Sequence, residues 1–203
     1  MGVALELAAQ ELLGSPPLAR RAAARAVPSL EAAVRARPDD LRARDSLGYA
    51  LGILGRLVEA RDVYEQSLRI EPRRELTLPY LSRTLSGLQR PDLAVEALRD
   101  LIAVNPWRSD YRLALARGYA QSGDWRGATE ASREAIRLNP ELVEARTVLI
   151  QAHLGLGESA KADAEFQVLL GLQADEHDNW QRWYGRQKRE RPGAGGSLSN
   201  GHP

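Results

Sequence analysis

The feature of the sequence that most limits its possible folds is a segment of 34 residues that occurs four times in succession. Residues 41–74, 75–108, 109–142 and 143–176 align with one another at this period. A fixed period of this length is typical of solenoids of stacked helical hairpins, in which each hairpin contacts only its neighbours. The period therefore predicts an all-α chain, and such architectures usually act by presenting a surface to a partner.

The same residue types return at the same positions of each repeat. Position 7 is leucine, and position 20 is alanine, which suits a close approach of two helices. Glycine at position 15 predicts the turn inside each hairpin, and proline at position 32 predicts the end of its second helix. The residues are Leu47, Leu81, Leu115 and Leu149 at position 7; Gly55, Gln89, Gly123 and Gly157 at position 15; Ala60, Ala94, Ala128 and Ala162 at position 20; and Pro72, Pro106 and Pro140 at position 32.

This combination resembles the tetratricopeptide repeat, and Gly48, Tyr119 and Trp125 strengthen the match at positions 8, 11 and 17. The resemblance covers residues 41–176. It implies a right-handed superhelical α-solenoid of helix-turn-helix hairpins that is not an enzyme and binds a peptide or protein segment in a concave groove. The RNA-binding pentatricopeptide family has a nearly equal period, but the alanine and proline positions fit the tetratricopeptide family better.

Both ends of the array read as incomplete repeats. Pro38 falls at position 32 when the register is extended backwards, so residues 29–37 are predicted to be the second helix of a degenerate unit that spans residues 1–40. Forward extension predicts a capping helix over residues 177–190. Residues 1–190 are thus expected to form a single solenoid, followed by a disordered tail over residues 191–203.

Composition excludes several classes of function. A formal net charge of +1 gives no general attraction to nucleic acid or to an anionic membrane, and the absence of cysteine removes thiolate metal sites and covalent haem attachment. No nucleophile and base, carboxylate pair or set of metal ligands converges in the pattern, so no catalytic residue, metal or cofactor is predicted. Glu6 and Glu11 interrupt the N-terminus, which argues against a signal peptide and favours the cytoplasm.

The family resemblance also implies which positions face the groove. Its predicted lining is polar and aromatic, with Arg83 and Arg117 at position 9 of consecutive repeats. Stacking would bring these two guanidinium groups together, where they could hold a carboxylate or a phosphate. Alternatively, they pair with neighbouring acids such as Asp45 or Asp110, or are solvated. The predicted lining residues are Arg42, Asp45, Tyr49, Tyr80, Arg83, Arg117, Gln121 and Gln151.

Three aromatic residues, Trp180, Trp183 and Tyr184, lie in the predicted last helix. They are expected to cover the exposed end of the last repeat, or else to contact a partner or a second copy of the chain.

Three hypotheses for function follow from the repeats. The first is a protein-interaction scaffold that binds a peptide or protein segment. The second is the C-terminal region of a larger protein that organises a redox assembly outside the cytoplasm. Its basis is the truncated N-terminal repeat, together with residues 105–111, the repeats that follow them and Trp180 and Trp183, which are similar to C-terminal tetratricopeptide regions of bacterial multihaem c-type cytochromes. The third is a structural oligomer that self-associates through its end helices.

Overall fold

The computed structural model describes residues 16–190, so the predicted tail over residues 191–203 and the first fifteen residues of the predicted N-terminal unit lie outside the described part. Ten α-helices and one short 3-10 helix account for nearly all of residues 16–190, and no strand occurs among them. The prediction of an all-α fold is confirmed. The chain divides into two compact units, Met1–Val104 and Asn105–Pro203, and each is described by itself.

The first unit contains five helices that pack in chain order. Each helix contacts the next one along the chain from α1 to α5, and the first helices of the two hairpins, α2 and α4, also touch. The helices are α1, Pro16–Ala36; α2, Leu41–Ile53; α3, Leu57–Ile70; α4, Thr77–Gly87; and α5, Pro91–Val104.

The second unit repeats this hairpin arrangement and ends with an additional helix. Helices α6 to α9 form two hairpins, and α10 contacts both α8 and α9. The elements are α6, Ser109–Ser122; α7, Trp125–Leu138; α8, Val143–Gly155; α9, Ser159–Leu172; a 3-10 turn, Ala174–Glu176; and α10, His177–Glu190.

The second helices of all four repeats share the same boundaries. Helices α3, α5, α7 and α9 each begin at position 17 of the repeat and end at position 30. In the first three repeats the helix ends two residues before the proline at position 32, because proline cannot donate the next helical hydrogen bond and clashes with the preceding turn. The helix ends predicted from these three prolines are confirmed, and α9 ends at the same position with Ala174 in place of the proline.

The turn inside each hairpin requires a left-handed backbone at position 15. The φ angles there are +78° at Gly55, +59° at Gln89, +80° at Gly123 and +75° at Gly157. Glycine adopts this conformation without steric cost, which explains its recurrence at the end of each first helix. Gln89 shows the same turn without a glycine.

The alanines at position 20 are completely buried in all four repeats. Ala60, Ala94, Ala128 and Ala162 are all 0% exposed, and the leucines at position 7 are buried as well. These positions form the core that the sequence predicted, because side chains at matching positions meet the same neighbours in each repeat.

The N-terminal helix differs from the prediction, since α1 is a single helix that runs through Pro28. The sequence predicted a helix only from residue 29 onward. Ala23 and Val27 are buried in the core of the first unit, and Leu30 and Val34 pack against the same core. Apolar burial on both sides of Pro28 therefore outweighs the lost backbone hydrogen bond.

Candidate functional site

Three tyrosines meet where the first hairpin packs against the second. The ring of Tyr49 on α2 meets the ring of Tyr80 on α4 edge to face, with 5.4 Å between centroids. Tyr80 also stacks on Tyr64 of α3 at 6.0 Å and an interplanar angle of 11°. Tyr64 is 2% exposed, whereas Tyr49 and Tyr80 are half-buried and present part of each ring at the surface. The structure thus brings together two of the predicted lining residues over a buried third ring.

Gly48 makes room for the buried ring. A Cβ atom at Gly48 would lie 2.5 Å from Cε1 of Tyr64, which is closer than any normal contact. Burial raises the pKa of Tyr64, and the neighbouring Tyr80 and Asp45 raise it further. The hydroxyl of Tyr64 therefore stays neutral at physiological pH, and this ring adds no negative charge to the region.

Asp45 serves to join two helices. Its Oδ2 accepts a hydrogen bond from Nε of Arg74 at 2.8 Å, and its Oδ1 accepts one from Oγ1 of Thr77 at 2.7 Å. Asp45 and Thr77 are buried, and Thr77 is the first residue of α4. The carboxylate thus joins α2 to the start of the next hairpin. Both oxygens of Asp45, which was predicted to line the groove, accept hydrogen bonds from within the chain.

Arg42 and Arg83 are the exposed cationic side chains on α2 and α4. No side chain among residues 16–190 forms an ion pair or a hydrogen bond with either guanidinium. The charge of Arg83 opposes the upward shift in the pKa of Tyr64, which places this guanidinium within electrostatic range of the tyrosine cluster. We call Arg42, Tyr49, Tyr80 and Arg83 the α2/α4 face.

The remaining predicted lining residues lie in the second unit. Arg117 and Gln121 are exposed on α6. Gln151 on α8 donates a hydrogen bond from Nε2 to Oε1 of Gln187 on α10 at 2.9 Å, so α10 covers this side chain. Because Arg83 and Arg117 belong to different units, their predicted pairing stays a prediction.

Helix α10 attaches to the last hairpin through an aromatic stack. The ring of Tyr184 lies on Phe166 with 4.1 Å between centroids, and its hydroxyl donates to Oδ1 of Asp163 at 2.7 Å. Lys188 donates to the same oxygen and holds the pKa of Asp163 below its usual range, and the bond from Tyr184 adds to this effect. Trp180 and Trp183 meet edge to face and pack against the same core.

Two arginines at position 4 form a recurring contact that the sequence reasoning missed. Arg44 donates to the carbonyl of Pro38 and, at 2.6 Å, to Oε1 of Gln66. Arg146 donates to the carbonyl of Pro140 at 3.2 Å and to Oε2 of Glu165 at 2.8 Å. In each case the arginine joins the proline that ends one repeat to the second helix of the next. The recurrence of arginine at position 4 is a signal that could have revealed it.

The described part of the chain offers little else that suggests chemistry. His153 is 1% exposed, and its Nδ1 lies 2.6 Å from Oε2 of Glu158 at the turn between α8 and α9. Among residues 16–190, no group of three or more histidine, aspartate or glutamate side chains is placed to hold a metal ion. No helix in that range combines the length and the apolar character needed to cross a membrane.

Comparison with known proteins gives one family and one fold. The family model described as "Tetratricopeptide repeat" matches residues 18–74 and 113–178. MamA 41-end from Desulfovibrio magneticus RS-1 is 21% identical over 86% of this chain and 96% of that one, with a TM-score of 0.69. YrrB, described as a TPR protein with an unusual peptide-binding site, is 19% identical over 76% of this chain and 80% of that one, with a TM-score of 0.69. No curated protein sequence matches the chain.

Proposed function

Because the chain belongs to the tetratricopeptide repeat family, whose members generally act as non-enzymatic protein-interaction scaffolds, we propose that its α2/α4 face binds a peptide segment of another protein. The segment carries a carboxylate next to an apolar or aromatic side chain.

The observation that carries this proposal is an unpaired arginine, Arg83, which lies within electrostatic range of the tyrosine cluster and on the same helix as Tyr80. A second unpaired arginine, Arg42, lies on the same helix as Tyr49. Other arginines in the first unit, such as Arg56 and Arg74, are engaged by acids of the chain itself. An unpaired guanidinium can instead form two parallel hydrogen bonds with a carboxylate of a ligand.

The tyrosine pair supplies the apolar part of the proposed site. Half-buried rings offer contact area at a small cost in conformational entropy, and tyrosine and arginine are enriched among residues that dominate binding energies. Tyr80 is held by its stack on Tyr64, and the helices are joined by Asp45. This rigidity lowers the ordering cost of binding. The peptide-binding site ascribed to YrrB, a protein of similar fold, supports the same class of ligand.

A displayed library of random dodecapeptides, selected against the intact chain, tests the proposal. We expect the enriched peptides to contain aspartate or glutamate beside an apolar or aromatic residue. Arg83→Ala should weaken the best of them about tenfold, which corresponds to the ~1.4 kcal/mol expected for one lost charge-assisted hydrogen bond. Tyr80→Ala should weaken it to a similar extent.

Arg133→Ala provides the matched control. Arg133 is exposed on α7 and has no ion pair or hydrogen bond partner among residues 16–190, so its removal makes the same chemical change at a residue that is not part of the α2/α4 face. Enrichment of peptides without acidic residues would contradict the proposal. So would equal affinities for the unchanged chain and an Arg42→Ala/Arg83→Ala double variant.

A further inference from the structure

The first unit has a second surface whose chemistry differs from that of the α2/α4 face. Helices α3, α4 and α5 enclose a groove of about 310 Å³ that shares no residue with the α2/α4 face. Its floor is apolar and its rim is acidic. The floor consists of Leu68, Leu78, Leu81, Leu85, Leu93 and Ala97, and the rim of Glu65, Pro72, Glu96 and Asp100.

The repeat register explains why the groove is open here. Leu78 stands at position 4, where the first and fourth repeats have Arg44 and Arg146. In those two repeats the arginine bonds the proline carbonyl of the preceding repeat and a polar side chain on its own second helix. Leucine is shorter and has no donor, so the second repeat lacks this contact.

The second repeat nevertheless retains acceptors at the two positions that bond Arg44 in the first repeat, although position 23, where Glu165 bonds Arg146, is Ala97 here. Pro72 lines the groove and corresponds to Pro38 and Pro140. Asp100, also in the lining, stands at position 26, which is the position of Gln66, the partner of Arg44. Asp100 is exposed and has no ion pair or hydrogen bond with any side chain among residues 16–190.

The third repeat has an arginine at position 4 and an acid at position 26. Arg112 occupies position 4, and Glu134 occupies position 26. Arg137 holds the pKa of Glu134 below its usual range, and the charge of Arg112 adds to the effect, which places these two groups in electrostatic range. In the third repeat, the acid at position 26 thus accompanies an arginine at position 4. In the second repeat, the acid at position 26 is Asp100, and position 4 is Leu78.

We propose that the groove of α3, α4 and α5 binds an arginine side chain of a partner protein, which takes the place that arginine holds in the other repeats. Its guanidinium bonds the carboxylate of Asp100 and the carbonyl of Pro72, and a neighbouring apolar side chain of the partner lies against Leu68 and Leu93. Both leucines are half-buried and line the groove. Charge complementarity with the rim favours a basic segment over an acidic one.

The probe is a blocked octapeptide with one arginine between two leucines, titrated into the ¹⁵N-labelled intact chain. We expect saturable shifts of the amides that line the groove. The same peptide with citrulline in place of arginine keeps the shape and loses the charge, and it should bind about tenfold more weakly, as expected for the loss of a charge-assisted pair.

Three variants locate the binding. Asp100→Asn should weaken the arginine peptide about tenfold, whereas Asp39→Asn changes an exposed aspartate that has no described partner and should have no effect. Leu78→Arg restores the arginine of the other repeats and should abolish binding, because the side chain of the chain itself fills the groove. Circular dichroism establishes that each variant is folded.

Failure of this inference is distinguishable from failure of the proposed function. Arg83→Ala belongs to the α2/α4 face and should leave the affinity for the arginine peptide unchanged. Absence of saturable binding, equal affinities for the arginine and citrulline peptides, or unchanged binding by folded Asp100→Asn would each overturn the inference. Self-association of the chain that Leu78→Arg abolishes would also overturn it, because the occupant would then be a second copy.

Discussion

Gln89 adopts the backbone conformation that glycine adopts at the same position of the other three repeats. A left-handed conformation costs a non-glycine residue about 1–2 kcal/mol, and substitution by glycine removes this cost. Part of the gain in stability is offset because glycine has a larger conformational entropy in the unfolded chain. We expect Gln89→Gly to stabilise the protein by about 0.5–1 kcal/mol, measured as a higher urea midpoint.

Gly123→Ala is the matched reverse change. A Cβ atom added at Gly123 meets no heavy atom within 4 Å, so this substitution tests the backbone conformation and no steric contact. It should lower the urea midpoint by an amount equivalent to about 1 kcal/mol. A lower midpoint for Gln89→Gly would show that contacts of the glutamine side chain outweigh the strain of its backbone.

Individual residues were predictable from the sequence where the repeat itself determines them. Ala60 and Ala94 are buried because every hairpin brings its two helices together at that position. Asp45 lacked such a signal, because position 5 is aspartate only in the first repeat, and its partner Thr77 stands at position 3, where no other repeat has threonine. Gln151 was predicted to line the groove, but its contact with Gln187 depends on how α10 packs.

At the scale of single elements, α10 offers the clearest test of how the last hairpin is covered. Tyr184 is 6% exposed and stacks on Phe166, so Tyr184→Ala removes a buried ring and leaves Phe166 uncovered. We expect a loss of about 2–4 kcal/mol in the free energy of unfolding. Amides of α10 should also lose their protection from hydrogen exchange.

Arg186→Ala is the control on the same helix. Arg186 is exposed and has no ion pair or hydrogen bond partner in the described range, so its removal should change neither the free energy of unfolding nor the exchange rates. If Tyr184→Ala left the protection of α10 unchanged, then Trp180 and Trp183 would be sufficient to hold the helix.

The ends of helices were predictable from the sequence where the same proline recurs in each repeat. They were less predictable where tertiary packing determines whether a helix continues. The proline at position 32 ends α3, α5 and α7 at the same point of each repeat. Pro28 is the counterexample, since α1 continues through it with apolar contacts before and after the ring. Proline imposes a local cost, and only the amount of buried surface around it decides whether a helix tolerates that cost.

Across the described part of the molecule, carboxylates paired with basic groups or helix amides make stability depend on pH. Seven carboxyl groups in that part have a pKa below the usual range. The main cause is a hydrogen bond from a neighbouring Arg or Lys side chain, except at Asp40, where it is a hydrogen bond from the backbone amide of Ala43. These groups are Asp40, Glu59, Asp92, Asp110, Glu134, Glu158 and Asp163. A carboxyl with a lowered folded-state pKa stabilises the fold above its unfolded value, and this contribution is lost as the pH falls through the folded value.

The unfolded values are close to 3.8 for aspartate and 4.5 for glutamate. We therefore expect the urea midpoint to stay nearly constant from neutral pH down to about pH 5 and to fall below about pH 4.5. Because most of these pairs are exposed, about 0.5 M salt should reduce the pH dependence by screening. A midpoint that rose on acidification below pH 4.5 would contradict the assigned pairing.

The leucine at residue 78 also bears on how the groove of α3, α4 and α5 can change by mutation. Four of the six leucine codons become arginine codons through a single change of the second base, from CTN to CGN. Where Leu78 is encoded by one of these four codons, one point mutation places an arginine at the position that Arg44 and Arg146 occupy in their repeats, and one reversion restores the leucine. A repeat array of this kind can acquire or lose a binding surface in one mutational step, without any change to its helices.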